Sequence, residues 1–473
     1  MSRTGHRQNA SLDRRRRSDS VTLPQRAAGG ESADPEVRVA SGPHDPVHAL
    51  AIGRPRPASR LFVSRSMKPS SSATTTFILI TLFLDSLGIG LIIPVGPRLV
   101  AGFVGGDVAA ASRAFGVLMA LYSTMQLGFA PVLGGLSDRF GRRAVILPSL
   151  LGAAASYVLS ALAPALSWLF VGRIIAGMTG ASFSAATAAI ADTTPPERRT
   201  QSFGLAGAAF GMGFVVGPVV GGALGGIDLR LPYVVAAGLN LANFLFGLIV
   251  LPETLKPEAR RPFSFRRSNP IGSLATLTKP ALRGLVGTVA CGFMAQSVLQ
   301  SVWALSNQAR FGWSTAQVGA SLGLVGISMA IVQGGLVRVL LRRFTEQKLV
   351  SFGLFVGAIA FLAIGLATRS WMIFALIALL ATGGLAGPTM QSLLTRSVPA
   401  SEQGELQGSL AALQSLMSIL GPLLGTTLMA HFGAASAHPH VPGAPFFAAA
   451  CLNLLGLGLA LRQFARMSAN APG

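Results

Sequence analysis

The sequence predicts an all-α membrane protein with twelve transmembrane helices arranged as two six-helix repeats. Three observations lead to this fold class. The chain is 51% apolar and only 12% charged, whereas soluble domains contain about 25% charged residues. Apolar stretches of about 20 residues recur, which is the length that a helix needs to cross about 30 Å of hydrocarbon. Short motifs also recur at a nearly constant separation along the chain.

Twelve apolar stretches, numbered here as spans one to twelve, follow residue 75. Helices are favoured over strands because a helix satisfies its own backbone hydrogen bonds in lipid. The 56 glycines fit this interpretation, since small residues let helices pack closely in a membrane. The predicted spans are 76–98, 114–135, 144–164, 167–190, 202–224, 232–251, 283–306, 315–337, 348–367, 371–394, 406–428 and 444–462.

The net charge of +21 would suit a nucleic-acid partner, but its distribution argues against one. Beyond the N-terminal extension, loops on the side of the two termini carry 19 Lys and Arg residues, and loops on the other side carry five. This asymmetry predicts that both termini are cytoplasmic. The expected setting is therefore a bacterial inner membrane, with the lipid bilayer and no nucleic acid as a partner.

The chain divides into four predicted segments. Residues 1–72 read as a disordered extension, because they are rich in Arg, Ser, Pro and Gly and lack apolar periodicity. Met67 is a natural alternative start just before the first span. Two six-helix halves at 73–252 and 283–473 flank a polar, basic linker at 253–282.

Two motifs indicate that the halves are repeats. Gly134-Gly-Leu after span two returns as Gly334-Gly-Leu after span eight, 200 residues later. In span five, Gly204, Gly217, Pro218 and Gly221 are followed 204 residues later by the matching Gly408, Gly421, Pro422 and Gly425 of span eleven. Similar separations at two distant places favour duplication, and repeated six-helix units are one way to build alternating access.

Two charged residues lie deep inside predicted spans. Asp85 is the only acid placed deep in any span, and Arg173 is the corresponding cation in span four. An intramembrane carboxylate is costly and usually faces a cavity, so we expect Asp85 to bind the coupling proton or a cationic substrate. Arg173 does not readily lose its proton and needs a counter-charge, water or carbonyls. A purely structural role for each residue stays open.

Polar amides within spans suggest a substrate pathway, although packing against another helix is an equal alternative. The candidates are Gln126, Gln296, Gln300, Gln333 and Gln391, with Trp303 as an aromatic wall. The sequence shows no nucleophile–base pair, phosphate-binding loop or metal-ligand spacing, so we expect neither an enzyme nor a metal site. No organic cofactor is expected, because a proton gradient would drive transport.

The segment after span two carries the most specific motif. It reads Gly134-Gly-Leu-Ser-Asp138-Arg139-Phe-Gly141-Arg142-Arg143 and resembles the signature cytoplasmic loop of the major facilitator superfamily. Gly141 permits a tight turn, and Asp138 can pair with an arginine, which would lock the inward face and break on opening. A role as a topology anchor is the alternative. The predicted gate comprises Gly134, Asp138, Arg139, Gly141 and Arg142 with Asp192 and Arg199 after span four.

Span five carries a second motif, formed by Gly204, Gly213, Gly217, Pro218, Gly221 and Gly222. It resembles the antiporter motif of exporters in this superfamily. Glycines allow close helix packing and proline removes one backbone hydrogen bond, so the helix is expected to be a bending seam between the halves.

The resemblance is most specific to the tetracycline/proton antiporters and extends from residue 76 to about 430. Leu84–Pro94, Ser137–Arg143 and Arg310–Trp313 are among the matching stretches. The resemblance implies export of a small amphipathic molecule in exchange for protons, with Arg173 taking part in proton transfer. We expect the protein to be a monomer. A uniporter or symporter of a native metabolite, and a membrane sensor without transport, remain alternatives.

The sequence also departs from that family. Where the drug efflux members carry an acid in span three, a histidine in span eight and an acid in span nine, this chain has Ser156, Met329 and Gly357. None of these three side chains titrates. The departures argue against a relay of several proton sites and leave the substrate open between tetracycline and another amphipathic compound.

Overall fold

A computed structural model describes residues 71–180, 182–263, 277, 282–399, 402–434 and 437–469. Most of the predicted extension and linker lies outside these residues. The first helix begins at Ser71, so the last two residues of the predicted extension belong to span one. Twelve helices in the described residues are long and apolar enough to cross a membrane, which confirms the predicted number.

Nine spans are single helices. They are Ser71–Ile92 (span one), Val108–Phe140 (two), Arg143–Ala161 (three), Arg199–Ile227 (five), Leu231–Val250 (six), Arg283–Phe311 (seven), Glu346–Leu366 (nine), Gln403–Phe432 (eleven) and Ala444–Ala469 (twelve). A short helix, Gly96–Phe103, follows span one, and 3₁₀ turns lie at Pro196–Arg198 and Pro257–Ala259.

Three spans are interrupted. Span four is Leu166–Thr179 and Ser182–Thr193, and span ten is Ser370–Gly383 and Ala386–Arg396. Span eight runs from Thr315 to Leu340 and contains a π-helical turn at Val332–Leu336. The breaks after Thr179 and Gly383 lie 204 residues apart, the separation of the motifs in spans five and eleven.

We name the two faces of the bundle by the chain itself. The terminal face is the one at which span one begins at Ser71 and span twelve ends at Ala469. The distal face is the opposite one, where Pro94 follows span one and Gly312 ends span seven in a left-handed conformation (φ 66°). An even number of spans places both ends of the described chain on the same face.

The repeat is visible in which spans pack together. Spans one and five, one and six, and three and six pack in the first half, as do the equivalent pairs seven and eleven, seven and twelve, and nine and twelve in the second. Span two against span eleven and span five against span eight form the main seam between the halves. The repeat exchanges these two pairs, as a pseudo-two-fold axis requires.

The seam is closed at the distal face. A Cβ added to Gly222 of span five would lie 3.0 Å from Cα of Gly319 in span eight, and Gly116 of span two similarly abuts Thr426 of span eleven. Towards the terminal face, the Cβ positions of Gly207 in span five, Gly334 in span eight, Gly128 in span two and Gly408 in span eleven have no atom within 4 Å. The two halves therefore diverge towards the terminal face.

Candidate functional site

The first half contains a polar cluster around the predicted coupling residues. The charges of Asp85 in span one and Arg173 in span four both act on the phenol groups of Tyr122 and Tyr157, and Arg173 also acts on Tyr233. These are all three tyrosines of the chain. One carboxylate oxygen of Asp85 is buried. The cluster thus brings an acid, a permanent cation and three hydroxyl groups together inside the bundle.

Gly88 allows the cluster to form. It lies one turn beyond Asp85 on span one, and a Cβ there would be 3.1 Å from the hydroxyl of Tyr157 and 3.3 Å from Nδ2 of Asn240. Asn240 belongs to span six, is buried, and donates to the carbonyl of Ala236 at 2.9 Å. The missing side chain at position 88 therefore leaves room for polar groups from spans three and six beside span one.

Gln126 stabilises the interruption of span four. Its Nε2 donates to the carbonyl of Gly180, at the break, and to the hydroxyl of Tyr122, both at 3.3 Å. Carbonyls released by a helix break within a membrane must find other donors. The structure therefore ties Gln126 to the polar cluster, where it contacts Tyr122, as well as to the helix break.

The predicted gate forms an ion-pair network within the first half. The guanidinium of Arg142 donates to Asp138 at 2.6 Å, to Asp192 at 2.9 Å and to the hydroxyl of Ser137 at 3.1 Å. Burial alone would lower the pKa of Arg142, but the hydrogen bonds to Asp192 and Asp138 outweigh it and raise this pKa above its ordinary value. Arg142 is therefore a permanent cation held between two acids.

Glu253 completes this network, although sequence reasoning did not find it. Its carboxylate accepts the backbone N–H of Arg142 at 2.8 Å and that of Arg143 at 3.3 Å, at the start of span three. Acids are favoured at helix N-termini because the N–H groups there have no helical partner. Gly141 is required beside it, since φ is 107° and an added Cβ would collide with Glu253.

Other predicted gate residues stay apart from the network. Arg199 donates to the carbonyl of Thr194 at 3.3 Å, Arg139 lies over the ring of Phe140 at 5.0 Å, and no atom lies within 4 Å of a Cβ at Gly134. The Asp138–Arg142 pair is intact although the halves are separated at this face. Both partners belong to one half, and the breaking of this pair on opening stays a prediction.

The second half repeats the gate with its charges exchanged. Glu346 at the start of span nine lies 3.4 Å from Arg396 at the end of span ten, and also accepts from Ser392 at 2.8 Å. These positions are 204 residues beyond Arg142 and Asp192. An arginine in the first half thus corresponds to a glutamate in the second half, and an aspartate in the first half corresponds to an arginine in the second. Arg338 likewise stands 200 residues after Asp138.

The glycine motif of span five forms two surfaces. Towards span one, a Cβ at Gly217 would lie 2.7 Å from the carbonyl oxygen of Leu87 and 2.8 Å from Cα of Gly90. Gly213 and Gly221 contact the same helix, whereas Gly222 faces span eight, and Gly204 has no atom within 4 Å. Span five with Pro218 therefore lies between span one and the second half.

Of the remaining predicted pathway residues, the glutamines are exposed and the tryptophan is buried. Gln296 and Gln300 are exposed one turn apart on span seven, and Gln333 is exposed in the π-helical turn of span eight. Gln391 is exposed and donates to Gln407 at 2.7 Å. Trp303 is a correction: it is 2% exposed and its indole donates to Ser321 inside the second-half core, so it forms no wall of a pathway in this conformation.

Comparison with known proteins agrees with this geometry. A model of the Major Facilitator Superfamily matches residues 78–349 and 336–472. The chain belongs to this superfamily. The transporter is 44% identical to the tetracycline resistance protein, class C, of Escherichia coli over 75% of its own length and 89% of that protein. It is 39% identical to the class G protein of Vibrio anguillarum over 76% and 90%, respectively. The predicted family resemblance is confirmed.

Solved structures share the fold of the transporter. The human organic anion transporter MFSD10 superposes with a TM-score of 0.61 at 24% identity, covering 83% of this chain and 100% of that one. A bacterial homologue of the human lysosomal transporter Spinster, in an inward-facing and unoccupied conformation, gives 0.63 at 16% identity, covering 84% and 96%. Because it has twelve apolar helices and is similar to bacterial tetracycline resistance proteins, the transporter is a multi-pass inner-membrane protein.

The structure shows what surrounds the three positions at which this chain departs from the tetracycline antiporters. Nδ2 of Asn453 would lie 2.8 Å from a Cβ at Gly357, so span twelve fills the space of a side chain in span nine. Met329 lies against Gly384 at the break in span ten and accepts from Gln333 at 3.5 Å. Ser156 is buried and donates to the carbonyl of Ala153 at 2.8 Å. Helix packing thus occupies all three positions.

Proposed function

We propose that the transporter exports a small amphipathic drug from the cytoplasm in exchange for protons, with Asp85 as the proton site. The observation that carries this proposal is the polar cluster, in which a carboxylate with a buried oxygen shares its surroundings with a permanent cation. A carboxylate inside a membrane protein usually marks an ion or substrate path. Arg173 is the residue that would tune its protonation, because a nearby cation favours the ionised carboxylate.

The tetracycline resistance proteins make tetracycline the first substrate to test. A neutral or singly charged amphipathic compound is the alternative, because Ser156, Met329 and Gly357 offer no further charge to the pathway. The exposed glutamines of spans seven and eight supply hydrogen-bonding groups that suit such a compound. We further propose that the transporter acts as a monomer.

We also propose that the terminal face is cytoplasmic. The loops on that face carry most of the arginines and lysines beyond the N-terminal extension, and such loops stay on the cytoplasmic side. In this orientation the described conformation is open to the cytoplasm, where a drug exporter takes up its substrate. A cysteine introduced as Gly334→Cys should then react with a membrane-impermeant thiol reagent only after the cytoplasmic side is made accessible.

The decisive experiment measures drug-driven proton movement in everted membrane vesicles. The parent protein should release protons from acidified vesicles when tetracycline, or a compound from a resistance panel, is added. Asp85→Asn should abolish this release and the resistance of an exporter-deficient host. Asp107→Asn is the matched control, since Asp107 caps span two at the distal face through the N–H of Ala109. Equal proton release by the Asp85→Asn variant would refute the proposal.

The same vesicles separate antiport from the other transport modes. In acidified everted vesicles an antiporter accumulates drug and loses the accumulation when a protonophore collapses the proton gradient. A uniporter only equilibrates the drug under either condition, and a proton symporter does not accumulate it. A sensor without transport shows no drug movement in reconstituted proteoliposomes under either condition.

A further inference from the structure

The distal face is held closed by side chains that reach from one half to backbone carbonyls of the other. Arg98 of the first half donates to the carbonyl of Trp313 in the second at 2.7 Å. Gln308 of the second half donates to the carbonyl of Pro94 at 3.0 Å. Thr315 at the start of span eight donates to the carbonyl of Gly222 in span five at 3.0 Å. We call Arg98, Gln308 and Thr315 the distal latch.

Two of the accepting carbonyls lie in turns between helices. The third belongs to a glycine whose backbone is approached closely by span eight. Pro94 lies in the turn between span one and the helix Gly96–Phe103, and Trp313 lies between spans seven and eight. Carbonyls at helix ends lack helical partners and are open to other donors. Gly222 has no side chain, and this lets Thr315 reach the backbone of span five.

Trp313 is a rigid anchor for the latch. Its side chain is 1% exposed, stacks against Phe374 at 5.0 Å between ring centroids and donates to Ser370. Ser314 caps span eight through a reciprocal bond with Gln317, which fixes the following turn. Because the carbonyl of Trp313 belongs to the second-half core, a bond from Arg98 holds the first half to that core.

The chemistry of the latch differs from that of the proton site. An amide and a hydroxyl do not ionise near neutral pH, and a guanidinium stays protonated in proteins. The acceptors are peptide carbonyls. The hydrogen bonds of the latch therefore do not depend directly on pH, so a proton that opens the distal face must act elsewhere and overcome them.

We propose that Arg98, Gln308 and Thr315 are positioning residues that set the balance between the two faces. They hold the transporter open at the terminal face in the absence of a bound proton. Weakening them should favour the distal-open state without changing the chemistry of Asp85. In the proposed exporter this would lower the share of molecules that are ready to bind cytoplasmic drug.

The test uses Thr315→Val and the double variant Arg98→Ala with Gln308→Ala. Thr315→Val keeps the shape of the side chain and removes its donor. Arg369→Ala is the matched control, because Arg369 is an exposed arginine of the same face at the start of span ten. Spin labels at Gly102→Cys and Thr368→Cys report the distance across the distal face, in a background with Cys291→Ser and Cys451→Ser.

Each removed bond should raise the ratio of distal-open to distal-closed molecules about fivefold, the equivalent of a typical net hydrogen bond. Drug KM should rise only in proportion to the fall in the terminal-open fraction, and therefore by less than this factor, with kcat retained and the pH profile unchanged. Arg98→Lys, which keeps a charged donor, should restore part of the closed population. Unchanged distance distributions in both latch variants, or an equal change in the Arg369→Ala control, would overturn the proposal. The distance measurement needs no drug export, so it stands apart from the proposed function, on which the KM measurement rests.

Discussion

At the scale of single residues, Arg142 is the side chain on which the terminal face of the first half depends. Its side chain is 11% exposed and bonds two acids, one of them, Asp138, 47% exposed. Removing a buried cation leaves its acidic partners without the bonds that compensated for their burial. The contribution of the exposed Asp138 is reduced by solvent, so the bond to Asp192 carries more of the stabilisation.

We predict that Arg142→Gln destabilises the transporter by about 1–3 kcal/mol, because charged hydrogen bonds are lost and Asp192 remains partly buried. Thermal unfolding in detergent measures this loss. Arg139→Gln, next to the same turn but without an acid partner among the described ion pairs, is the control and should unfold like the parent. Equal unfolding temperatures for the two variants would contradict the prediction.

The raised pKa of Arg142 sets the alkaline limit of this network. Because it is raised in the folded protein, the stabilisation from this arginine is complete below its ordinary value and is lost only as the pH rises through the raised one. Alkaline conditions up to about pH 9 therefore leave the arginine charged.

At the scale of elements, the glycines of span five differ in what surrounds them. Gly217 contacts the backbone of span one, whereas Gly207 has no atom within 4 Å of its Cβ position. Backbone atoms cannot move aside as a flexible side chain can. Glycine is therefore needed for packing at position 217, whereas position 207 of the same helix has room for a larger residue.

We predict that Gly217→Ala costs about 1–3 kcal/mol of stability, as overpacking of a tight contact does, and reduces transport. Gly207→Ala should be neutral or slightly stabilising, because alanine favours helix by about 1 kcal/mol over glycine. Folded yield, thermal unfolding and vesicle transport compare the two. A Gly217→Ala variant as stable and active as the parent would show that spans one and five are packed more loosely than the structure indicates.

At the scale of the whole molecule, spans five and eight make a tight local contact close to the distal face. Gly222 packs on span eight, where an added Cβ would lie 2.5 Å from the carbonyl oxygen of Thr315, whereas the nearest atom at Gly226 is 4.0 Å away. Four residues along the same helix thus separate a tight contact from a loose one.

We predict that Gly222→Ala wedges the distal face apart and shifts the transporter towards the distal-open state, while Gly226→Ala does not. Thiol labelling from the distal side, or the spin-label distance across that face, would measure the shift. If both variants keep the parent distribution, close contact between spans five and eight is not what closes the distal face.

The fold and much of the site could be predicted from the sequence, for reasons that differ between residues. Length and hydropathy predict the spans, because hydrocarbon tolerates only helices of a certain length. The motif around Asp138 was found by its resemblance to a known signature loop, and Asp85 was found because charge is rare in lipid. Tyr157, Tyr233, Glu253 and Glu346 were missed, since nothing in their own segments shows what they contact. The rarity of tyrosine, of which the chain has three, was a signal for the hydroxyl groups of the polar cluster.

What the sequence determined alone is the number of spans, the repeat and the identity of the charged residues, because burial in lipid selects residue types one segment at a time. The tertiary structure decided which of these residues meet: that Arg142 serves two acids, that Trp303 is core, and that Arg98 and Gln308 reach the opposite half. Such contacts join positions as far as 215 residues apart, and their geometry follows from helix packing, which no local pattern encodes.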